Sequence, residues 1–390
     1  MPVLAIHADR ALTPLEEISD CVILVEDGKI AAIGRRDSVP LPKGAREFEA
    51  KDRTIVPGFV DVHIHGARGH DVMEADAAAL EAVARTVARF GTTSLVATTV
   101  TAAAERTCRS LEGIARYIRS QPTQSPSPPA AQFLGIHLEG PFISHARRGV
   151  HPEEWIAPPS LEVFRKLLTA AAGCARILTL APELPGALDL VDAARAERLV
   201  VALGHTDATH DEAQAAIRRG ATHAVHVFNA MRPFAHRETG VLGAILTSPD
   251  VTAELIADGV HVDPAAMRLL FAAKGIANVV LVSDATAATG MPDGAYRLGT
   301  FEVLVAGGVC RNAQGRLAGS TLTLDRALRN VVALGLPLAD AVRMLTLNPA
   351  RLLGLELAKG VLSPGADADL VLLDSDLRVT SVLTRGAGLS

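Results

Sequence analysis

Short apolar runs alternate with helical segments through most of the chain, and this rhythm limits the fold more than any other feature. In the first run, 54–66, Pro57 and Gly58 interrupt the start, so the strand proper is expected to begin near Phe59. Seven further runs predict strands at 93–100, 133–139, 176–181, 199–205, 221–228, 251–256 and 278–284. Segments such as 77–90, 103–119, 211–219 and 264–273 predict helices between them. Eight strands alternating with helices predict an α/β fold, a TIM-like (β/α)8 barrel.

The two ends of the chain have a different character. Asp27 and Gly28 separate two apolar runs in 22–33, which indicates a β-hairpin. Residues 365–374 and 379–383 predict further strands. We therefore expect a small discontinuous β-sandwich domain made of 1–55 and 357–390, attached to a barrel of 56–356. The stretch 121–130, rich in Pro, Ser and Gln, predicts a loop.

Polar residues stand at the predicted strand ends, where the chemistry of such barrels is located. His63 and His65 are two residues apart at the end of one strand, so both imidazoles point the same way. Four further strand-end residues have side chains that bind metals or carry protons: Glu139, His205, His226 and Asp284. A single histidine there is usually a loop residue, and a single aspartate is usually a helix N-cap. Buried together without a cation, these groups would cost roughly 1–3 kcal/mol each, so the set predicts a divalent metal site.

Composition excludes several other classes of function. The net charge is −5 and the pI about 6.2, which argues against nucleic acid as a partner. The longest apolar runs are too short to span a bilayer, and residues 1–10 lack the pattern of a secretory signal. Four scattered cysteines are typical of reduced thiols, so we expect a cytoplasmic protein.

The ordered motifs resemble a known family. They lie at 57–66, 137–142, 148–151, 204–205, 226–231, 256–261, 283–286 and 318–323, across nearly the whole chain. This set resembles the amidohydrolase superfamily and, within it, the family of N-acetylglucosamine-6-phosphate deacetylases. The resemblance implies hydrolysis of N-acetyl-D-glucosamine 6-phosphate to D-glucosamine 6-phosphate and acetate, in amino-sugar catabolism or recycling.

The resemblance also implies a role for each strand-end residue. Glu139, His205 and His226 would hold the main divalent metal, and His63 and His65 would hold a second one that Glu139 bridges. Zinc or iron(II) suits such ligands, with one or two ions per subunit. Asp284 would act as the general base and then as the general acid.

Substrate binding and assembly follow from the same resemblance. His151, Asn229, the backbone amide of Ala230, Arg237 and His261 would bind the amino-sugar phosphate. The arginine would reach the phosphate from the neighbouring subunit, which implies a homodimer. The alternative is that Arg237 is a solvated surface side chain with no role in binding.

Three alternatives remain open. A deacetylase for N-acetylgalactosamine 6-phosphate differs only in one hydroxyl of its substrate. Cyclic amidases of the dihydroorotase or hydantoinase kind usually carry a metal-bridging lysine at the end of the fourth strand, whereas 179–183 has none. A non-catalytic metal-binding barrel would have no need of the proton carrier Asp284.

Overall fold

The computed structural model describes residues 3–14, 16–122 and 128–389. Its strands are β1 Leu4–Leu12, β2 Glu17–Glu26, β3 Lys29–Arg35, β4 Arg46–Pro57, β5 Phe59–Ile64, β6 Gly66–Ala67, β7 His70–Asp71, β8 Thr92–Thr99, β9 Gln132–Glu139, β10 Ala175–Leu180, β11 Val200–Leu203, β12 His223–Ala224, β13 Thr252–Leu255, β14 Val279–Leu281, β15 Gly294–Leu298, β16 Phe301–Ala306, β17 Val309–Asn312, β18 Leu370–Leu373 and β19 Val379–Leu383. Its α-helices are α1 Ala77–Ala88, α2 Ala104–Ser120, α3 Leu161–Ala171, α4 Ala187–Ala196, α5 His210–Arg219, α6 Gly240–Thr247, α7 Pro264–Lys274, α8 Leu324–Ala333, α9 Leu338–Leu345 and α10 Leu347–Leu352. Positions 123–127 of the expected loop lie outside the described residues.

The eight predicted strands form one parallel sheet in the order β5-β8-β9-β10-β11-β12-β13-β14, which confirms the barrel. The sheet closes through a parallel bridge between Ile64 and Ala285. Around this bridge His65 N donates to Ala285 O (2.8 Å) and Asp284 N donates to His63 O (2.9 Å). Closure therefore places the histidines at the end of the first strand beside the residues that follow the last.

Helix α5, between β11 and β12, begins and ends at recognisable caps. At the start of α5, Thr209 and Glu212 form a capping box. The helix stops at Gly220, whose φ of 108° is accessible chiefly to glycine. The cap at Thr209 lies on the side of the barrel where β11 ends, and Gly220 lies on the opposite side, where β12 begins.

Strands from both chain ends form a second, six-stranded sheet in the order β19-β18-β4-β1-β2-β3. The predicted hairpin at Asp27–Gly28 joins β2 and β3. Ile55 and Val56, which read as part of the first barrel run, instead lie in β4 and pair with β18. The chain passes from one sheet to the other at Gly58, where a Cβ would come within 2.1 Å of Thr93 Oγ1.

A three-stranded antiparallel sheet, β15-β16-β17, follows the last barrel strand and was not predicted. Leu298, Val303 and Val305 from this sheet pack against Met73 and Val100 of the barrel. The sheet thus covers one side of the barrel end at which β8 and β14 terminate. Within the described part of the chain, no helix is long and apolar enough to cross a membrane.

Candidate active site

Six polar residues predicted from the strand ends lie together at one end of the barrel. His63 and His65 belong to β5 or follow it directly, and Glu139 is the last residue of β9. The other three come two or three residues after β11, β12 and β14 and have left-handed backbones: His205 (φ 48°), His226 (φ 29°) and Asp284 (φ 48°). Such conformations are uncommon outside glycine and are often found at functional sites.

The Glu139 carboxylate is the centre of the cluster. Its Oε1 lies 3.2 Å from both His205 Nε2 and His226 Nε2, and 3.3 Å from His63 Nε2. Its Oε2 lies 3.5 Å from His65 Nε2. The Nε2 atoms of His205 and His226 are 3.1 Å apart. Four imidazoles therefore direct the same ring nitrogen toward one carboxylate.

The opposite ring nitrogen of three imidazoles is held by a protein oxygen. These Nδ1 contacts join His63 to Glu254 (2.8 Å), His65 to the carbonyl of Thr98 (3.0 Å) and His205 to the carbonyl of Arg147 (3.1 Å). A carbonyl or carboxylate can only accept, so Nδ1 of each ring carries a proton, and in the neutral imidazole the Nε2 lone pair faces the centre. His63 Nε2 is buried and makes no hydrogen bond among the described residues. This donor set fits a divalent cation.

The electrostatics of the cluster also favour a cation. Burial raises the pKa of the Glu139 carboxyl, but His63 and the other imidazoles more than offset this and hold it well below its usual value. Burial lowers the pKa of His63, yet Glu139 and Glu254 raise it well above its ordinary value. Burial and the neighbouring His151 lower the pKa of His205 to about 4, so this imidazole is neutral at pH 7. The centre attracts positive charge while keeping a neutral nitrogen ligand.

Asp284 lies beside the cluster, with Oδ1 3.1 Å from His65 Nε2 and 3.8 Å from His63 Nε2. Burial raises its pKa, but the hydrogen bond from His65 and the charge of His63 outweigh burial and lower it. The carboxyl is therefore ionised at neutral pH. An ionised, nearly buried carboxylate at the edge of a cavity can accept a proton from a reacting group.

A cavity of about 190 Å³ opens beside the cluster. Four of the residues expected to contact substrate line it, namely His151, Asn229, Ala230 and His261. The fifth, Arg237, is exposed and is not among the described residues that line this cavity. It lies in the turn closed by the bridge between Ala235 and Glu238.

Two carboxylates of the site were missed from the sequence. Glu254 of β13 is fully buried and contacts both His63 and His223. Asp61 of β5 accepts from the backbone of His63 and Ser283, both at 3.3 Å, and burial raises its pKa to about 7. For each of these two residues, the only sequence signal was its position as an acidic residue inside a largely apolar strand.

Comparison with known proteins gives close relatives over the whole chain. A model of the amidohydrolase family matches residues 54–387. The N-acetylglucosamine-6-phosphate deacetylase of Bacillus subtilis (strain 168) is 36% identical over 377 residues, covering 96% of this chain and 94% of that protein. The N-acetylgalactosamine-6-phosphate deacetylase of Escherichia coli O157:H7 is 39% identical over 382 residues, covering 98% of each.

A solved structure agrees with these sequence matches. The N-acetyl-D-glucosamine-6-phosphate deacetylase of Mycobacterium smegmatis superposes with a TM-score of 0.92 at 38% identity, covering 100% of this chain and 99% of that one. That structure is of a mutant in complex with N-acetyl-D-glucosamine-6-phosphate. With its barrel, its strand-end cluster and these relatives, the chain belongs to the amidohydrolase family.

Proposed function

We propose that this protein is a metal-dependent hydrolase that deacetylates N-acetyl-D-glucosamine 6-phosphate, giving D-glucosamine 6-phosphate and acetate. The observation that carries the proposal is the convergence of Glu139, four imidazoles and Asp284 beside one cavity. Relatives named for this reaction, 36% to 39% identical, support the choice of substrate. Amino-sugar catabolism or recycling is the corresponding role.

The proposed metal ligands follow the geometry of the cluster. Glu139, His205 and His226 would hold the main ion, and His63 and His65 would hold a second one together with Glu139. Zinc or iron(II) suits these ligands, with one or two ions per subunit. A metal held there would supply Lewis-acid chemistry, which would polarise the amide carbonyl and make water a nucleophile at neutral pH.

Asp284 carries the proton during the proposed reaction. It takes a proton from the attacking water and then gives one to the departing amine, which cannot leave as an anion. Asn229, the backbone amide of Ala230 and His261 position the sugar phosphate, and His151 contacts the substrate beside Glu139. Because the phosphate is remote from the amide, its binding energy serves to orient the reacting bond.

One assay tests this function. The purified protein should release acetate from N-acetyl-D-glucosamine 6-phosphate, and a chelator should abolish the release until zinc or iron(II) is restored. The unphosphorylated sugar is the matched control and should react far more slowly. Acetate release that a chelator leaves unchanged would contradict the metal assignment, and no release would contradict the substrate.

The galacto epimer is the second candidate substrate. It is favoured by the 39% identity with the Escherichia coli N-acetylgalactosamine-6-phosphate deacetylase. The same assay run with both epimers separates the candidates by their ratio of kcat/KM. We expect the gluco epimer to be preferred.

We also expect the enzyme to work in the cytoplasm. The four cysteines, Cys21, Cys108, Cys174 and Cys310, are all free thiols. Free thiols are typical of proteins in a reducing compartment. Fractionation of the source cells, followed by the acetate-release assay, would test the location.

A further inference from the structure

Glu254 is one of two buried carboxylates of the site, with Asp61, that the proposed reaction leaves without a role. We propose that it is a positioning residue, which fixes the tautomer of His63 and the backbone of His226 and so keeps the two halves of the metal site aligned. The inference rests on the proposed metal-dependent function. It concerns a residue that would contact neither the metal nor the substrate.

The contacts of Glu254 join three barrel strands. Its side chain is completely buried in β13. Oε2 accepts from His63 Nδ1 (2.8 Å) and from the backbone N–H of His226 (3.1 Å). Oε1 accepts from His223 Nε2 (2.9 Å). One carboxylate therefore contacts one proposed ligand of each metal half-site.

The contact with His63 decides which nitrogen of that ring is available. Glu254 holds a proton on Nδ1, so in the neutral ring, the form that binds a metal, the Nε2 lone pair faces the centre of the cluster. Without this acceptor, the proton would be better placed on Nε2, which lies 3.3 Å from Glu139 Oε1. That tautomer donates to Glu139 and cannot bind a metal through Nε2.

The contact with His226 fixes the exit from β12. His226 has a φ of 29°, a backbone conformation that costs energy for a residue with a side chain. Its N–H bonds to the Glu254 side chain, and the next N–H, of Val227, donates to the Glu254 carbonyl (2.9 Å). Through both its side chain and its backbone carbonyl, Glu254 thus supports the turn that brings His226 toward Glu139.

Three substitutions separate positioning from simple charge balance. In Glu254→Gln the amide oxygen can take the place of Oε2 and accept from His63. The amide nitrogen then faces His223 Nε2, and His223 accepts this hydrogen bond in its other tautomer. Glu254→Asp keeps the charge but is one methylene shorter, so it cannot reach His63 and His223 together. Glu254→Ala removes every side-chain contact. If Glu254 acts only as a buried negative charge, Asp should replace it better than Gln.

The test measures Zn²⁺ affinity and stoichiometry of the full-length protein by competition with a chromogenic chelator. We expect affinity to fall about 10- to 100-fold in Glu254→Ala and Glu254→Asp, and to stay within about threefold in Glu254→Gln. The matched control is Asp369→Asn, a buried carboxylate of the small domain that accepts from Lys359. It should leave zinc affinity unchanged. Circular dichroism checks that each variant is folded.

Two results would overturn the inference. One is wild-type zinc affinity in folded Glu254→Ala, or in folded Glu254→Asp if the alanine variant does not fold. The other is a greater loss in Glu254→Gln than in Glu254→Asp. Zinc binding is measured without substrate. If the protein binds zinc but releases no acetate, the proposed function is rejected, and the role of Glu254 can still be tested.

Discussion

Asp284 is the residue whose chemistry can be tested most directly. Asp284→Asn keeps the size of the side chain but cannot accept a proton at neutral pH. We expect kcat to fall by about 10²- to 10⁴-fold, with metal content and substrate affinity close to wild type. Acetate-release kinetics and metal analysis of the purified variant check this. A near-normal kcat would remove Asp284 from the mechanism.

The five proposed ligands should differ in their effect on metal content. His205→Ala or His226→Ala should abolish tight metal binding and activity, because each removes a ligand of the main ion. Removing His63 and His65 together should lower the number of ions and leave some turnover. Metal analysis of each variant decides between these outcomes.

His210 provides the matched control for the histidine substitutions. It lies at the start of α5, where it is partly exposed, and contacts Asp211. His210→Ala should keep both full metal and full rate. If His205→Ala behaves in the same way as this control, the metal site has been misplaced.

At the scale of elements, a buried ion cluster joins the segment before β18 to β3 of the six-stranded sheet. Lys359 Nζ lies 2.7 Å from both Asp367 Oδ2 and Asp369 Oδ2, and Asp367 also pairs with Lys29 of β3. Removing one partner of a buried pair is strongly destabilising, because it leaves the other charge uncompensated. Lys359→Met should therefore lower the free energy of unfolding at pH 7 by about 3 kcal/mol. Urea unfolding measures this free energy. The control Lys166→Met removes an exposed ion pair with Glu162 and should change the free energy of unfolding by less than about 0.5 kcal/mol.

The same cluster predicts a pH window. Burial raises the pKa of Asp367, but Lys359 and Lys29 outweigh it and lower the pKa, so its contribution to stability is lost as the pH falls below about 4. Burial lowers the pKa of Lys359, but the two aspartates raise it, so its contribution is lost as the pH rises above about 10.4. The stability difference between wild type and Lys359→Met should be flat between these limits and should shrink outside them. A difference that persists unchanged at pH 3 would contradict this account.

At the scale of the whole molecule, a homodimer with shared sites stays a prediction, and the exposed Arg237 is the residue that tests it. We expect Arg237 to bind the substrate phosphate of the neighbouring subunit, since a guanidinium binds phosphate oxygens bidentately. Arg237→Ala and Asp284→Asn subunits should each be inactive alone. In a mixed dimer, the site with intact Asp284 receives intact Arg237 from its partner, so random pairing should restore about a quarter of wild-type sites.

Subunit exchange must be shown separately, for example by differently tagged chains that co-purify after mixing. If exchange occurs and activity does not return, Arg237 acts within its own chain or has no role. Arg268→Ala, on the barrel helix α7, is a control that should retain activity when expressed alone.

Strand positions and the order of the ligand residues could be predicted because they depend on local pattern. Apolar runs bounded by turns predicted all eight barrel strands, and β13, expected at 251–256, lies at Thr252–Leu255. The strand-end position of His63, Glu139 and Asp284 then implied that they meet, since parallel strands end on one face of a barrel. The sheet β15-β16-β17 was not predicted, although Gly307 and Gly308 between two of its strands are a hairpin signal.

The tertiary structure alone decided which partners complete the site. A glutamate within an apolar strand gives no hint of its acceptor role, because its partner His63 is 191 positions away in the chain. The closure of β14 against β5, which sets Asp284 beside His65, is likewise a contact between distant segments. Sequence spacing reports which face of a strand a side chain takes, since that depends on backbone periodicity. Hydrogen bonds between strands depend on how the barrel closes, and no local pattern encodes that closure.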